Sequence, residues 1–205
     1  MALAMDATHQ PEHLPRLDAD AGFLLPDADD SAEAGWFERL LEWDEATLLA
    51  ARRWRSPGRT LAARTLTRLG DASSWTVTGL ALFATFTATG TALGLRLAAA
   101  AGLATVLSQA LKRTLTRARP DLAIDGFTPL AANPDRFSFP SGHTAAAFAV
   151  AAAFAGAPFG LGLMVLALAL GIGASRVYLG AHYPLDVGAG ALLGTLAGLV
   201  ATLVA

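Results

Sequence analysis

The sequence predicts an all-α integral membrane protein: a helical bundle of about five transmembrane helices, preceded by an N-terminal amphipathic helix at the membrane interface. Hydrophobic residues make up 54% of the 205 residues and charged residues only 16%, which is too apolar for an ordinary soluble domain. The apolar excess lies after residue 73, in long runs of Ala, Leu, Val and Gly. The polar residues that could carry chemistry are concentrated in three short segments between these runs.

Composition divides the chain into three regions. Residues 1–30, rich in Asp and Pro, are typical of a flexible acidic tail. Residues 31–73 combine an amphipathic helix with an arginine-rich juxtamembrane segment, and residues 74–205 form the transmembrane domain. The formal net charge of −2 hides a strongly acidic first part and a basic second part. The basic part suits the membrane bilayer and an anionic lipid, and we predict no nucleic-acid partner.

The amphipathic helix is predicted from about Ala32 to Trp54, where apolar residues recur at helical spacing. Asp30, followed three residues later by Glu33, resembles a capping box at its start. The helix either lies on the membrane surface as a lid or packs on the bundle. Six arginines follow between positions 52 and 68, and setting the topology is favoured over binding of anionic headgroups.

Long apolar runs predict the spans of the bundle, some of them shorter than the roughly 20 residues that a free span needs. The runs cover residues 74–95, 97–111, 143–157, 161–174 and 187–205. Only Arg96 separates the first two, so Ser74–Leu95 and Leu97–Leu111 are expected to form a membrane hairpin with a very tight turn. In the last run, Gly190, Gly194 and Gly198 form a stripe of small residues, suited to packing within the molecule or to a homodimer.

The first polar segment holds Lys112 and Arg119, seven residues apart. On a continuous helix they project from nearly the same face, and Pro120 then marks the end of that helix. The pair can grip two edges of one phosphate. Alternatively, together with Arg113 and Arg117, it is a basic anchor that sets topology.

The second segment, Pro140-Ser141-Gly142-His143, stands directly before an Ala-rich run. The free backbone N–H groups at the start of the following helix can seat an anion, and Ser141 can add a hydroxyl donor. His143 then lies beside that seat, as a catalytic group or as an ordinary surface or capping residue.

The third segment runs from Ser175-Arg176 through His182 to Asp186. Pro184 suits the first turn of the last helix, so Asp186 can fold back to hold one ring nitrogen of His182 and leave the other free to attack. The alternative is an interfacial loop in which Asp186 stabilises the helix dipole.

The predicted spans place all three segments on the same side of the membrane. Two histidines, one carboxylate and three permanent cations suit attack on a phosphoryl group. The cations neutralise its oxygens while one histidine attacks and the other protonates the leaving oxygen. The sequence therefore predicts an enzyme that needs neither a metal nor another cofactor.

In order and spacing, the three segments resemble the signature of the type 2 phosphatidic acid phosphatase superfamily, and every fixed position is met over about residues 74–205. The resemblance implies that His182 is a nucleophile that forms a phosphohistidine, that Asp186 orients it, and that His143 protonates the leaving group. It implies that the phosphoryl oxygens are held by Lys112, Arg119, Ser141, Gly142 and Arg176.

Other chemistries remain open at such a site. Vanadium-dependent haloperoxidases and acid phosphatases share it, but the long apolar spans favour a phosphorylated lipid. A silent lipid-binding protein is a further alternative, which the intact site residues argue against. Candidate substrates are undecaprenyl diphosphate, phosphatidylglycerophosphate, phosphatidate and a polyprenyl phosphosugar. Phe127, Phe137 and Phe139 could line a lipid route or act as interfacial anchors.

The side of the membrane that holds the site is predicted from charge. Five spans put the arginines at 52–68 on the side of the site and leave Arg96 alone opposite, so the positive-inside rule favours a cytoplasmic site. High Ala and Arg usage suggests a bacterial source, hence an inner or cell membrane.

Overall fold

The computed structural model of the chain describes residues 35–132 and 135–204, and this part is predominantly helical. The acidic tail and the Asp30–Glu33 capping box lie outside the described residues. The helices are α1 Trp36–Ala51, α2 Pro57–Leu69, α3 Ala72–Phe83, α4 Ala88–Leu115, α5 Pro120–Ala123, α6 Gly142–Ala153, α7 Phe159–Tyr178 and α8 Pro184–Val204. A single 3-10 turn, Arg52–Trp54, follows α1.

Membrane character is concentrated in three helices of the described part. By length and composition, α4, α7 and residues Pro184–Leu203 of α8 can each cross a bilayer. Helices α3 and α6 have 12 residues each, fewer than the roughly 20 that a free span needs. The structure thus supports an all-α membrane protein with three candidate spans, and it does not confirm the predicted number of five.

The turn of the predicted hairpin was misplaced. The chain reverses between Phe83 and Ala88, while Arg96 lies in the middle of α4. Phe86 adopts a left-handed conformation with φ 51°, and the Thr87 hydroxyl accepts a hydrogen bond from the Gly90 N–H at 3.0 Å, which caps α4. Arginine is a good helix former whose long side chain can carry its charge away from an apolar surface, so a lone arginine does not break a helix.

Helix α6 is the centre of the bundle and contacts α4, α7 and α8. Small residues make these contacts close, because alanine lets two helix backbones approach. The alanine cluster takes members from α4, α6 and α8: Ala100, Ala104, Ala145, Ala149, Ala153, Ala197 and Ala201. This packing holds α6 against α4 and α8.

The glycine stripe of α8 faces α6, inside the molecule. A Cβ atom at Gly190 would lie 2.6 Å from the carbonyl oxygen of Ser141, and one at Gly194 or Gly198 would overlap a carbonyl oxygen of α6. The predicted homodimer through this stripe is therefore not supported, since the surface is occupied within the chain.

Helix α1 packs on the bundle, the second of the two roles that the sequence left open, and its other face is exposed. On one face, Asp44 and Leu48 are buried, and Leu48 packs with Phe127 and Tyr183. On the other, Trp36 and Trp43 are exposed, as suits a membrane interface. The Glu38 carboxylate accepts a hydrogen bond from the Gly35 N–H at 3.0 Å, which supports the first turn.

Candidate active site

The three polar segments meet at one end of the bundle, as the sequence predicted. They surround a cavity of about 650 Å³ at the end of α4, the start of α6, the end of α7 and the loop before α8. Six of the predicted site residues line it: Lys112, Arg119, Gly142, His143, Arg176 and His182. Ser141 and Asp186 are fully buried and are not part of the cavity lining.

Arg119 reaches the cavity from an extended segment. Helix α4 ends at Leu115, and Thr116 adopts a left-handed conformation with φ 41°. The predicted continuous helix from Lys112 to Arg119 was therefore wrong, and Pro120 begins the short helix α5 instead. Arg119 is nevertheless held firmly, because its guanidinium donates to the Ala181 carbonyl at 2.7 Å.

His182 lies at the inner wall of the cavity with only 1% of its surface exposed. Its Nδ1 is 3.5 Å from Oδ2 of Asp186, and the same oxygen accepts a hydrogen bond from the Tyr183 N–H at 2.9 Å. Catalytic hydrogen bonds are commonly long in unliganded sites and tighten when substrate binds. Nε2 lies on the other side of the ring, 3.5 Å from the Arg119 guanidinium. Nδ1 of His182 thus faces Asp186, and Nε2 faces the cations.

Burial sets the charge of His182. Removal from water lowers its pKa to about 4, against the opposing interaction with Asp186 and with further lowering by Arg176 and Arg119. The imidazole is therefore neutral near pH 7 and keeps a lone pair on one nitrogen. A neutral, buried imidazole beside fixed cations has the electronic character of a nucleophile for an anionic phosphoryl group.

Three cations are buried at the cavity. Lys112, Arg119 and Arg176 are between 3% and 5% exposed. Buried charges are costly unless they are paired. Arg176 donates to the Thr67 hydroxyl, while its buried Nε has no hydrogen-bond partner among the described residues. An anion in the cavity would compensate this concentration of positive charge.

Asp135 supplies such an anion from within the chain. Its carboxylate pairs with the Lys112 ammonium at 2.7 Å and accepts a hydrogen bond from the Arg119 Nε at 2.9 Å. Burial favours the neutral acid, but the hydrogen bonds from Lys112 and Arg119 outweigh it and lower the pKa of Asp135 below its usual value. The carboxylate of Asp135 thus lies between two of the cations that the sequence predicts to hold phosphoryl oxygens.

His143 enters the cavity from the first turn of α6. Its Nε2 is 2.7 Å from Oδ1 of Asp71, the residue that precedes α3, so the ring orientation is fixed by a carboxylate. Gly142 begins the helix beside it. The Ser141 hydroxyl accepts a hydrogen bond from Thr144, and the Ser141 N–H donates to the Asp186 carbonyl at 3.0 Å. Ser141 therefore ties α6 to α8 behind the cavity.

The family of the chain follows from its sequence. The sequence model of the PAP2 superfamily matches residues 93–205, more than half of the chain. The chain belongs to the PAP2 superfamily.

Solved PAP2 structures share the fold. The crystal structure of Aquifex aeolicus LpxE has a TM-score of 0.67 and 29% identity, covering 78% of this chain and 93% of that one. A PAP2 type phosphatidylglycerolphosphate phosphatase from Bacillus subtilis has a TM-score of 0.65 and 30% identity, covering 79% and 84%. The similarity thus reaches beyond the segment that the family model matches.

Curated PAP2 relatives match over shorter stretches. Lipid A 1-phosphatase of Rhizobium etli is 35% identical over 103 residues, which are 48% of this chain and 44% of the relative. The bacitracin transport permease protein BcrC of Bacillus licheniformis is 40% identical over 62 residues, 30% of each chain. The chain spans less than half the length of these curated relatives.

Sequence reasoning missed several residues around this PAP2 site. Asp44 and Asp71 lie before the segment matched by the family model, and Arg117 was interpreted only as part of a topology anchor. One signal for Asp44 is its position between Leu40 and Leu48 on one face of a helix, because a charge in an apolar stripe needs a buried partner. No comparable pattern marks Asp71.

The three loop phenylalanines do not line this PAP2 cavity. Phe127 packs with Leu48 and Tyr183, with Arg52 5.0 Å from its ring centre. Of the two roles that the sequence left open for Phe127, Phe137 and Phe139, the lipid route is therefore not supported. Helices α3 and α4 provide the apolar wall instead.

Replacing Asp135 with asparagine is expected to tighten the binding of inorganic phosphate by about 5-fold, or about 1 kcal/mol. The reason is that an incoming phosphate no longer has to displace a carboxylate from Lys112 and Arg119. Titration calorimetry on detergent-purified protein measures this, with Asp125→Asn as the control, an exposed acid in the same loop. Unchanged or weaker binding would show that Asp135 organises the two cations rather than competes for them.

Proposed function

We propose that this PAP2 superfamily member is a membrane lipid phosphatase, a metal-independent hydrolase that removes phosphate from a phosphorylated lipid through a phosphohistidine on His182. The observation that carries the proposal is the continuity of the cavity. The polar end at His182 opens directly into an apolar groove between α3 and α4. A phosphate site with this extension suits an ester of a long hydrocarbon chain.

The groove runs along most of α4. Its lining extends from Lys112 to Gly94, which are 18 residues apart and therefore about 27 Å along the helix axis. This length is close to the roughly 30 Å thickness of the hydrocarbon core of a bilayer. Trp75, Leu80 and Phe83 of α3 form the opposite wall. A lipid chain can lie beside α4 while its phosphate reaches the cations.

The first chemical step transfers the phosphoryl group to the enzyme. Nε2 of His182 attacks phosphorus, the bond between phosphorus and the lipid oxygen breaks, and its electron pair stays on that oxygen. His143, protonated and held by the Asp71 carboxylate, gives the oxygen a proton and becomes neutral, so that the lipid leaves as an alcohol. Asp186 stabilises the positive charge that develops on the His182 ring, and Lys112, Arg119 and Arg176 neutralise the phosphoryl oxygens.

The second step returns the enzyme to its starting state. A water molecule attacks phosphorus of the phosphohistidine, and His143, now neutral, accepts a proton from that water. The bond between phosphorus and Nε2 breaks, His182 recovers its lone pair, and inorganic phosphate leaves. The residues of the cavity supply each proton and each compensating charge.

A lipid phosphomonoester is the substrate class that we favour. Two of the matched proteins are named as a lipid A 1-phosphatase and a phosphatidylglycerolphosphate phosphatase. The buried cation set fits one phosphoryl group between Lys112, Arg119 and Arg176. Polyprenyl diphosphate remains a candidate within the same chemistry and is included in the test below.

We place the site on the cytoplasmic side of a bacterial cell membrane. The arginine-rich segment lies at the same end of the bundle as the site, which supports this orientation. Arg64 donates to the Leu130 carbonyl at 3.1 Å, and Arg52 lies over Phe127 in the loop that leads to α6. The positive-inside rule assigns such a segment to the cytoplasm.

Phosphate release from a lipid panel tests the proposed activity. Purified protein in mixed micelles with excess chelator is given lipid A 1-phosphate, phosphatidylglycerophosphate, phosphatidate and undecaprenyl diphosphate. We expect release from at least one phosphomonoester, unaffected by chelator. A water-soluble ester with the same headgroup and no chain is the matched control, and we expect its kcat/KM to be at least about 10²-fold lower because the groove is left empty. No release from any lipid would refute the proposal.

A further inference from the structure

We propose that Asp44 of α1 is a positioning residue for the nucleophile, acting through Arg117 on Asp186. The inference rests on the proposed function, because the group that is positioned is the nucleophile His182. It gives a part in the reaction to the N-terminal helix, which lies outside the segment that the family model matches.

A continuous line of contacts joins Asp44 to His182. One nitrogen of the Arg117 guanidinium donates to Asp44 Oδ2 at 2.7 Å, and another donates to Asp186 Oδ1 at 2.9 Å. The other oxygen of Asp186 faces His182 Nδ1 at 3.5 Å. Arg117 thus bridges two carboxylates, and only one of them touches the nucleophile.

Both ends of this bridge are fixed. The Leu185 N–H, in the first turn of α8, donates to Asp44 Oδ1 at 2.7 Å. The Arg117 guanidinium also lies 4.0 Å from the centre of the Tyr183 ring. Asp44 and Asp186 are both completely buried, whereas the Arg117 side chain is 23% exposed. Since each carboxylate uses both oxygens, a change at Asp44 shifts Arg117 and, with it, Asp186.

Charge gives Asp44 a role beyond docking α1. Asp44, Arg117 and Asp186 together carry one negative charge when both acids are ionised. Formation of a phosphohistidine places a positive charge on the His182 ring, which this negative charge balances. Without the charge of Asp44, Arg117 would fully neutralise Asp186, and the cationic ring would face only the buried cations. We therefore expect Asp44 to act mainly on the reaction step and little on lipid binding.

The contacts of Asp44 also explain why a carboxylate is tolerated at this position. Burial raises the pKa of Asp44, while the hydrogen bonds from Leu185 and Arg117 oppose protonation. An unpaired buried acid is strongly unfavourable, so the pairing with Arg117 also favours the docking of α1. The experiment must therefore separate positioning from docking.

The test compares Asp44→Asn with Glu42→Gln, which makes the same change of charge at an exposed position of α1. For Asp44→Asn we expect kcat to fall about 10-fold, or about 1.4 kcal/mol, with KM within about twofold of wild type. Glu42→Gln should leave both constants unchanged. In an Arg117→Gln background, Asp44→Asn should lose most of its effect, because the connection to Asp186 is already broken.

Binding of orthovanadate gives a readout without turnover. Vanadate adopts the five-coordinate geometry of a phosphoryl group under attack and needs the same oriented His182 nitrogen. We expect Asp44→Asn to raise the Kd for vanadate about 10-fold and Glu42→Gln to leave it unchanged. If wild type binds vanadate but hydrolyses no lipid, the proposed function fails, while weaker binding by Asp44→Asn would still support the positioning role.

Several results would overturn the inference. Wild-type kcat and vanadate affinity in Asp44→Asn would show that the residue does not reach the nucleophile. Asp44→Asn could instead lower the thermal stability and change kcat and KM together. If it does so equally in the wild-type and the Arg117→Gln background, Asp44 only docks α1 on the bundle. If Asp44→Asn does not fold, the Arg117→Lys variant provides the test, because lysine keeps the charge but lacks the two planar guanidinium nitrogens that donate to Asp44 and Asp186. It should lower kcat and vanadate affinity with KM unchanged, and wild-type values would refute the proposal.

Discussion

Replacing His182 with alanine is expected to lower the rate of lipid phosphate hydrolysis by at least about 10⁴-fold, the scale seen when a covalent nucleophile is removed. His182 has one ring nitrogen beside a buried carboxylate, and its other ring nitrogen faces the buried cations. In the variant, water would have to attack phosphorus in place of His182, and Asp186 would neither orient nor activate that water. Phosphate release from the preferred lipid measures this loss, and the residual rate reports what the cations contribute alone.

The phosphoenzyme provides a sharper test of His182. Substrate labelled at phosphorus is mixed with enzyme and quenched in alkali, in which phosphohistidine survives. We expect labelled protein with wild type and none with His182→Ala. An active His182→Ala variant, or label that persists in it, would mean that another group attacks phosphorus and that the assignment of His182 is wrong.

The convergence of the three polar segments could be predicted because an apolar membrane bundle offers few arrangements for polar residues. Each segment had to lie at a helix end, and alternating helix directions then placed Lys112, His143 and Arg176 on one side. The structure confirms this convergence, including the start of α8 at Pro184. The chemical roles of these residues remain predictions, which the variants above address.

Local details at the helix ends could not be predicted in the same way. The hairpin turn at Thr85–Thr87 depends on hydroxyl caps and a left-handed Phe86, whereas Arg96 looked like an interruption because of its charge alone. The end of α4 at Leu115 likewise depends on the left-handed Thr116, a conformation that a β-branched residue seldom adopts. In both places tertiary structure overrides the propensity of the local sequence.

The carboxylates around the site could not be predicted from the sequence for a different reason. Asp44 meets Arg117 across 73 positions of sequence, and Asp71 meets His143 across 72. Such pairs are formed when α1 and α3 dock against the bundle, and no periodic pattern within one helix reports them. Asp135 could be seen only as one of three aspartates in residues 120–139 until the structure placed it between Lys112 and Arg119.

Replacing His143 with alanine is expected to slow hydrolysis of the lipid substrate by about 10²- to 10⁴-fold, the usual contribution of a general acid. An alkoxide is a poor leaving group, and without a proton from His143 the lipid oxygen must depart in that form. Asp71, 2.7 Å from the His143 ring, holds the imidazole in place for that transfer. The variant should therefore have a lower kcat, whereas its affinity for vanadate should change less.

A change of leaving group separates this role from a structural one. p-Nitrophenyl phosphate releases a stabilised phenolate that needs no proton, so the first step in His143→Ala should be slowed by less than about 10-fold with it. Because His143 also accepts the proton of the attacking water, the second step should become limiting and phosphohistidine should accumulate. His182→Ala should show neither the first step nor the intermediate. If the rate falls equally with the lipid and with p-nitrophenyl phosphate, or if no phosphohistidine accumulates, His143 has a structural role and another group donates the proton.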